Sequence, residues 1–594
     1  MLMHIPLSFC PSPQHLKLAL VCSSVVVLAS CQHNQSVDQP RTTATVPSAA
    51  LFEDVAQKSG LKFTHVLGDT GKFYFDEFTP SGCALFDYDN DGYLDVFLVQ
   101  SGSSSPASTV INRPLCALYH NRGDGTFQEV TTGSGLDKDL GYAQGVAVGD
   151  YDNDGFDDLF ITSYGGNHLF RNIKGKGKFE DVTHIQDVDK VHGSGYATSA
   201  AWGDYDRDGL LDLYVCYYAK WSHALNKDCR DDKTGEIDYC RPQIYSPETH
   251  QLFHNTGHGF EDVSDKSGIS KARGRGLAVA FVDYNGDGKQ DIFVANDVTP
   301  NMLWKNNGNG TFSNTAQQSG CAYEGRGQDM ASMGIGIADY DRSGSPSLYV
   351  SNFSNRPNIL FKNTSGIFED ATAEANLSLV HLKFLSFGCE FIDYDADGWS
   401  DVVVNNGHVQ ALQNRREADV GRQQRKQLLH NEGRGRFQEV TDVAQLGSLS
   451  QAVIGRGLAT GDFDNDGRVD VLAMSQNGPA QLLHNQTESN GNHFVSLRLE
   501  GTKSNRDAIG TRIELEAGGA KQTAWVRGGS SYLSSSDRRL FFGLGKATKI
   551  ARLAIVWPNG QRENVSNIIP DTFVTIIEGK GLFSQNTPHT LPTP

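Results

Sequence analysis

The chain lacks an excess of positive charge, a long apolar run and any Cys-x-x-Cys pair of metal or redox spacing. Lys and Arg number 52 against 70 Asp and Glu, a formal net charge of −18. A surface of that sign does not hold nucleic acid, whose phosphates need a basic face. The longest apolar stretch, Leu18 to Ala29, is about a dozen residues, well short of a membrane-spanning helix. There is no Gly-x-Ser-x-Gly, His-Glu-x-x-His or phosphate-loop motif. Methionine is scarce at 6, whereas Gly reaches 63 and Phe 31, the balance of an all-β protein with many tight turns.

The N-terminus reads as an address. Lys17 precedes the apolar run, which ends in Leu28, Ala29, Ser30 and Cys31. Residues 1–30 are therefore expected to be a signal peptide. A Cys directly after small residues resembles the bacterial lipobox, so Cys31 is the expected lipidated first residue of the mature chain. Residues 31–50 are polar and read as a flexible tether. Export permits disulfides. Only Cys229 and Cys240 lie close together in an irregular polar stretch, and they are the expected pair. Cys83 and Cys389 each stand four residues before an Asp cluster and read as buried strand residues.

A nine-residue pattern, D-x-D-x-D-G-x-x-D, recurs along the chain. It starts at Asp87, Asp150, Asp204, Asp283, Asp393 and Asp462, with a degenerate copy, DYDRSGSPS, at Asp339. Each copy is followed by a β-rich run and an L-x-x-N element, ending at Asn121, Asn172, Asn255, Asn306, Asn363, Asn431 and Asn485. A Gly-rich turn and a Phe follow six of these, at Phe127, Phe179, Phe260, Phe312, Phe368 and Phe437. The seventh Phe element, Phe52, precedes the first Asp cluster. A closed ring accounts for both loose ends: the N-terminal strand completes the last blade. Phe52 to Asn485 is 485 − 52 + 1 = 434 residues, or 62 per repeat, which suits four-stranded blades. The expected fold is all-β: a seven-bladed β-propeller over residues 51–489, then a small β-sandwich-like domain over 490–580 and a disordered tail over 581–594. The stretch from Tyr217 to His250 breaks the period and reads as a long loop on the third blade.

The Asp clusters have the chemistry of a hard-cation cage. Carboxylates at positions 1, 3 and 5 share one side of a tight loop, Gly at position 6 permits the turn, and the carbonyl at 7 and acid at 9 complete the oxygen set, favouring Ca²⁺. The expected ligands are Asp87, Asp89, Asp91, Tyr93 and Asp95; Asp150, Asp152, Asp154, Phe156 and Asp158; and Asp204, Asp206, Asp208, Leu210 and Asp212. They continue with Asp283, Asn285, Asp287, Lys289 and Asp291; Asp393, Asp395, Asp397, Trp399 and Asp401; and Asp462, Asp464, Asp466, Arg468 and Asp470. That makes about six structural Ca²⁺ sites. An EF-hand would need a Glu at position 12 and flanking helices, and neither is indicated. Ser343 and Ser347 replace acids in the fifth copy, which is expected to bind weakly or not at all.

The repeats resemble FG-GAP and VCBS propeller repeats. The C-terminal stretches NRDAIGTRIEL from Asn505, VRGGSSYLSSSDRRLFFGLG from Val526 and IVWPNG from Ile555 resemble the ASPIC and UnbV domain. This order is that of the cartilage acidic protein family and its bacterial relatives, which implies a propeller joined to that module.

Two functional classes stay open. One is an exported, lipid-anchored Ca²⁺-binding scaffold at the cell surface that binds an extracellular glycan or protein without catalysis, its only membrane contact being the lipid. The other is a Ca²⁺-dependent polysaccharide-active enzyme, lyase-like, with Arg273, Arg275 and Arg326 lining a groove. His408 is the best lone candidate for a functional imidazole. His120, His254, His430 and His484 each precede a repeat Asn and read as part of the blade framework. The Gly-Gly-Ser-Ser-Tyr and Ser-Ser-Ser-Asp turns of the C-terminal domain are either ordinary hairpin turns or a ligand surface.

Overall fold

A computed structural model describes residues 50–102, 114–188, 193–416 and 420–588. The expected signal peptide, Cys31 and nearly all of the tether lie outside these residues. Among the described residues no helix is long and apolar enough to cross a membrane.

Seven four-stranded antiparallel sheets form the blades. Blade 1 is Cys83–Phe86, Asp95–Leu98, Ala117–Asn121 and Phe127–Glu129. Blades 2 to 6 repeat this plan over 142–181, 197–262, 276–314, 335–370 and 386–439. The first strands of successive blades pack on one another in a closed circle, so they are innermost. They are rich in Gly and Ala and largely buried, as in Gly455–Gly461, which suits a crowded axis. Cys83 and Cys389 lie buried in such strands.

Blade 7 contains Gly455–Gly461, Asp470–Ser475 and Gln481–Asn485, and its outer strand is Phe52–Asp54. The register pairs Phe52 with Asn485, Glu53 with His484 and Asp54 with Leu483. The ends of the propeller thus meet across a loop whose closure entropy grows only logarithmically with length. Phe52 is fully buried with Tyr394, Leu446, Leu449 and Leu483.

The Phe repeat now has a cause. Each packs against the second residue of the preceding blade's Asp loop: Tyr88 with Phe179, Tyr151 with Phe260, Tyr205 with Phe312, Tyr284 with Phe368 and Tyr340 with Phe437. Phe463 with Phe127 closes the circle, and all six ring-centroid distances fall between 5.5 and 6.2 Å. Phe52 supplies the seventh partner, in the cluster with Tyr394.

The C-terminal domain is a sandwich of two four-stranded sheets. One places His493–Glu500 between Leu540–Gly545 and Thr572–Ile577; the other places Arg512–Ala517 between Ala520–Trp525 and Ile550–Val556. The tail expected from residue 581 begins instead with a strand, Gly581–Asn586, on the edge beside Thr572–Ile577. Leu582 pairs with Ile576 and packs on the sandwich core, which gives this short segment a place to bury its apolar side.

Phe52→Ala should destabilise the propeller by about 3–5 kcal/mol, the range for a fully buried Phe. Hydrogen exchange should rise first in Gln481–Asn485; unchanged protection there counts against closure by this strand.

Candidate metal loops and the axial plug

Each Asp loop is the turn from the innermost strand to the second, so all seven project from one face of the ring. The backbone is left-handed at position 4 and again at the glycine of position 6, with φ 58° at Asn90 and 93° at Gly92. Only glycine takes the latter cheaply. The glycine amide donates to the position-1 carboxylate, Gly92 N to Asp87 Oδ2 at 3.0 Å and Gly467 N to Asp462 Oδ2 at 2.8 Å. Position 5 accepts from the amide at 7, as in Leu210 N to Asp208 Oδ1 at 2.9 Å.

The ninth acid does more than the sequence indicates. In blade 1 Asp95 is fully buried; its Oδ1 accepts from Asn121 N at 2.8 Å and its Oδ2 from Tyr88 N at 3.1 Å. Asn121 Nδ2 then donates to Leu94 O and, across the blade boundary, to Phe463 O at 2.8 Å. Every repeat Asn makes the same link to the preceding loop: Asn172 to Tyr88, Asn255 to Tyr151, Asn306 to Tyr205, Asn363 to Tyr284, Asn431 to Tyr340 and Asn485 to Tyr394, at 2.7–3.0 Å. The L-x-x-N element is therefore an interblade lock held by the ninth acid.

Basic side chains reach some of the loop acids, Lys289 on Asp287 and Arg498 on Asp87 among them, yet burial still raises the inner carboxyls. Burial pushes the carboxyls of Asp95 and Asp401 up to about 7, and those of Asp212 and Asp291 up to about 8. Asp150 is pushed up to about 8 by burial and then by Asp507. Asp204 Oδ1 and Asp291 Oδ2 are buried without a hydrogen-bond partner. An all-oxygen set with orphaned buried carboxylate atoms fits a hard dication, which would satisfy them. The fifth loop differs as its sequence suggests. Lys362 Nζ stands 3.0 Å from Asp341, Gly344 N closes on Asp339, and Ser347 Oγ accepts from Asn363 N at 3.1 Å, so the lock survives without the ninth carboxylate.

The sandwich covers this face. Arg498 reaches Asp87 at 3.3 Å and Asn90; Arg506 N donates to Asn153; Asn492 Nδ2 donates to Asp395 O at 2.9 Å. Arg538 bridges Asp157 of blade 2 to Asp507 of the sandwich, and Arg539 donates to Asp462 O at 2.7 Å. A cleft of about 780 Å³ remains between the loops of blades 1, 2 and 7 and the sandwich.

From this cap the segment Arg527–Asp537 descends into the axis. Gly528 bridges to Trp202, Ser531 to Ile335 and Ser535 to Ala84. Leu533 O accepts from Val146 N at 3.0 Å, Asp537 N donates to Thr460 O at 3.0 Å, and Ser530 Oγ donates to Glu390. Tyr532 at the tip is fully buried, donates to Thr79 O at 2.8 Å and packs on Phe387. The Gly-Gly-Ser-Ser-Tyr and Ser-Ser-Ser-Asp turns are thus not surface hairpins. They plug the channel, and most of their polar atoms pair with inner-strand groups, Ser531 Oγ excepted. The other end is sealed by Phe75 stacked on Tyr218 at 5.3 Å, with Trp221 and Tyr245 from the third-blade insertion. That insertion carries a Cys229–Cys240 disulfide, and it is held down by Tyr239 Oη on Glu77 at 3.2 Å and by Ala411 N on Asp238 at 3.1 Å.

The other candidates have structural contacts. Arg275 is buried and donates to the carbonyls of Tyr245 and Val298; Arg273 and Arg326 are exposed and face Glu248 and Glu324. His408 is buried against Ser354 and accepts from Gln410 N.

Residues 501–582 match the ASPIC and UnbV family model, and residues 87–161, 150–215, 283–350 and 393–473 match the FG-GAP-like repeat. The chain belongs to the family of FG-GAP-repeat proteins that end in an ASPIC and UnbV domain. It is 26% identical to cartilage acidic protein 1 of Xenopus tropicalis over 81% of this chain and 70% of that one. The human cartilage acidic protein 1 is 24% identical over 81% and 69%. Among solved structures, an Agrocybe aegerita lectin recognising non-reducing terminal N-acetylglucosamine aligns with a TM-score of 0.37 and 15% identity over 69% of this chain and 88% of that one.

A Cβ at Gly82 would stand 2.0 Å from Leu533 O. Gly82→Ala should therefore displace the plug, costing about 1–3 kcal/mol, and raise exchange at Val146. Exchange and melting temperature both unchanged would show that the plug is not tightly seated.

Proposed function

We propose that this protein is an exported, calcium-loaded, non-catalytic scaffold that binds an extracellular glycan or protein. The observation that carries the reading is the set of six acidic loops with buried carboxylates, three of them with an orphaned oxygen, on Asp204, Asp291 and Asp395. Ca²⁺ bound by the acids at positions 1, 3, 5 and 9 would supply the missing charge and stiffen the turns beneath the sandwich. The fifth loop has Ser343 and Ser347 in place of two acids and Lys362 on Asp341, so the expected stoichiometry is about six, not seven.

Because the sandwich covers the loop face, the opposite face is the one open to a partner. The insertion there exposes Leu225 (56%) and Ile244 (44%), apolar side chains that serve no core. Export is supported by the leader pattern and by the disulfide. Cys31 is proposed as the lipid-bearing residue, which the mass of the mature N-terminus decides.

Atomic emission on the dialysed mature protein should find about six Ca²⁺ per chain. Chelation should lower the melting temperature, and a glycan or ectodomain array should show binding that is lost on chelation and in Leu225→Asp/Ile244→Asp. Fewer than two Ca²⁺, or a melting curve indifferent to chelator, contradicts the metal reading. Array binding that survives the double variant puts the partner elsewhere.

A further inference from the structure

The residue one before each lock asparagine sorts the Asp loops into two chemistries. It is His120, His254, His430 and His484 in blades 1, 3, 6 and 7, but Arg171, Lys305 and Lys362 in blades 2, 4 and 5. An oxygen cage for a hard cation needs no imidazole. Yet each of the four rings is partly buried and turned into its loop. His120 Nδ1 lies 3.4 Å from Asp89 Oδ2 and 3.2 Å from Asp95 Oδ1. His254 Nδ1 lies 3.5 Å from Asp206 Oδ2 and 3.0 Å from Asp212 Oδ1. His430 Nδ1 is 3.1 Å from Asp401 Oδ1, and His484 Nε2 is 3.2 Å from both Asp464 Oδ2 and Asp466 Oδ2. In all four loops a ring nitrogen and carboxylate oxygens at positions 3 and 5 lie within 4.8 Å of one another.

The shorter of these contacts are His–Asp hydrogen bonds, and their separations also match the edges of a coordination polyhedron. Bonds of about 2.1 Å at tetrahedral or octahedral angles set neighbouring donor atoms about 3.0–3.4 Å apart. Blade 3 adds an independent sign: Asp204 is 1% exposed, and its Oδ1 has no hydrogen-bond partner. Blades 2 and 5 offer no such nitrogen: Arg171 turns to Glu180 at 2.7 Å, and Lys362 pairs with Asp341.

We propose that the loops of blades 1, 3, 6 and 7 are mixed carboxylate–imidazole sites, in which the ring nitrogen ligates the metal directly. These four then accept borderline dications such as Mn²⁺ and Zn²⁺, whereas the loops of blades 2 and 4 take hard cations alone. The proposal rests on the metal reading of the loops and adds a metal class that Asp spacing does not give. Two basic side chains would have to yield, Arg498 on Asp87 in blade 1 and Arg468 on Asp466 in blade 7, so blades 3 and 6 are the least obstructed.

The test uses the full mature chain, stripped with chelator and reloaded with Mn²⁺. Electron spin-echo envelope modulation should show nitrogen-14 coupling from a bound imidazole. The amplitude should fall by about a quarter in each of His120→Gln, His254→Gln, His430→Gln and His484→Gln, as expected for four like sites. Zn²⁺ should displace about four of the six Ca²⁺ equivalents, leaving two. Mn²⁺ bound without nitrogen coupling, or coupling unchanged in all four variants, overturns the proposal while leaving the calcium reading intact. Failure to bind either Ca²⁺ or Mn²⁺ overturns both. The wild-type spectrum alone decides direct ligation, so a variant that misfolds does not remove the test.

Discussion

The structure depends on one buried hydrogen-bond unit, repeated around the ring: an acid at the ninth loop position, the asparagine it fixes, and the carbonyl of the preceding blade that the asparagine reaches. Asp95 fixes Asn121, whose carboxamide reaches Phe463; Asp470 fixes Asn485, which reaches Tyr394. Each unit joins a loop carboxylate to an interblade contact in a low-dielectric setting, where an unmade bond costs about 1–3 kcal/mol. Loop geometry and ring closure are therefore one problem. A cation bound in the loop, as proposed, would also hold the acid that holds the asparagine.

The same coupling explains the C-terminal domain. A seven-bladed ring leaves an axial gap, and small inner residues such as Gly82, Gly145 and Gly457 would leave it open. The segment Arg527–Asp537 fills it, while its parent sandwich packs over the Asp loops. Arg538 ties Asp157 to Asp507, so propeller and sandwich share charge as well as core. The aromatic cluster of Phe75, Tyr218 and Trp221 seals the far end, leaving the insertion above it as the accessible feature.

Much of this was legible in the sequence, and the exceptions have physical reasons. Repeat number, strand order and closure by Phe52 follow from periodicity, which survives 62-residue spacing because each repeat is one blade. The asparagine was visible as a repeat, but its role was not, since its partner belongs to another blade. The plug was illegible because Gly and Ser at an axis look like Gly and Ser in a turn. What the four histidines face was hidden for a related reason. Their spacing to Asn is fixed, but only the fold brings the third strand beside the loop. The strand Gly581–Asn586 was missed because six residues with one apolar pair carry little periodic signal.

The central claim, that the ninth acid carries the interblade lock, is tested most directly at Asp212. The fifth blade already shows that Ser347 holds its asparagine without a carboxylate. Hydrogen exchange should be measured on Asp212→Ala and Asp212→Ser. The account predicts strongly raised exchange at Asn255 and Tyr205 in the alanine variant, and near-native protection at Asn255 in the serine variant. Native protection at both amides in Asp212→Ala would contradict it.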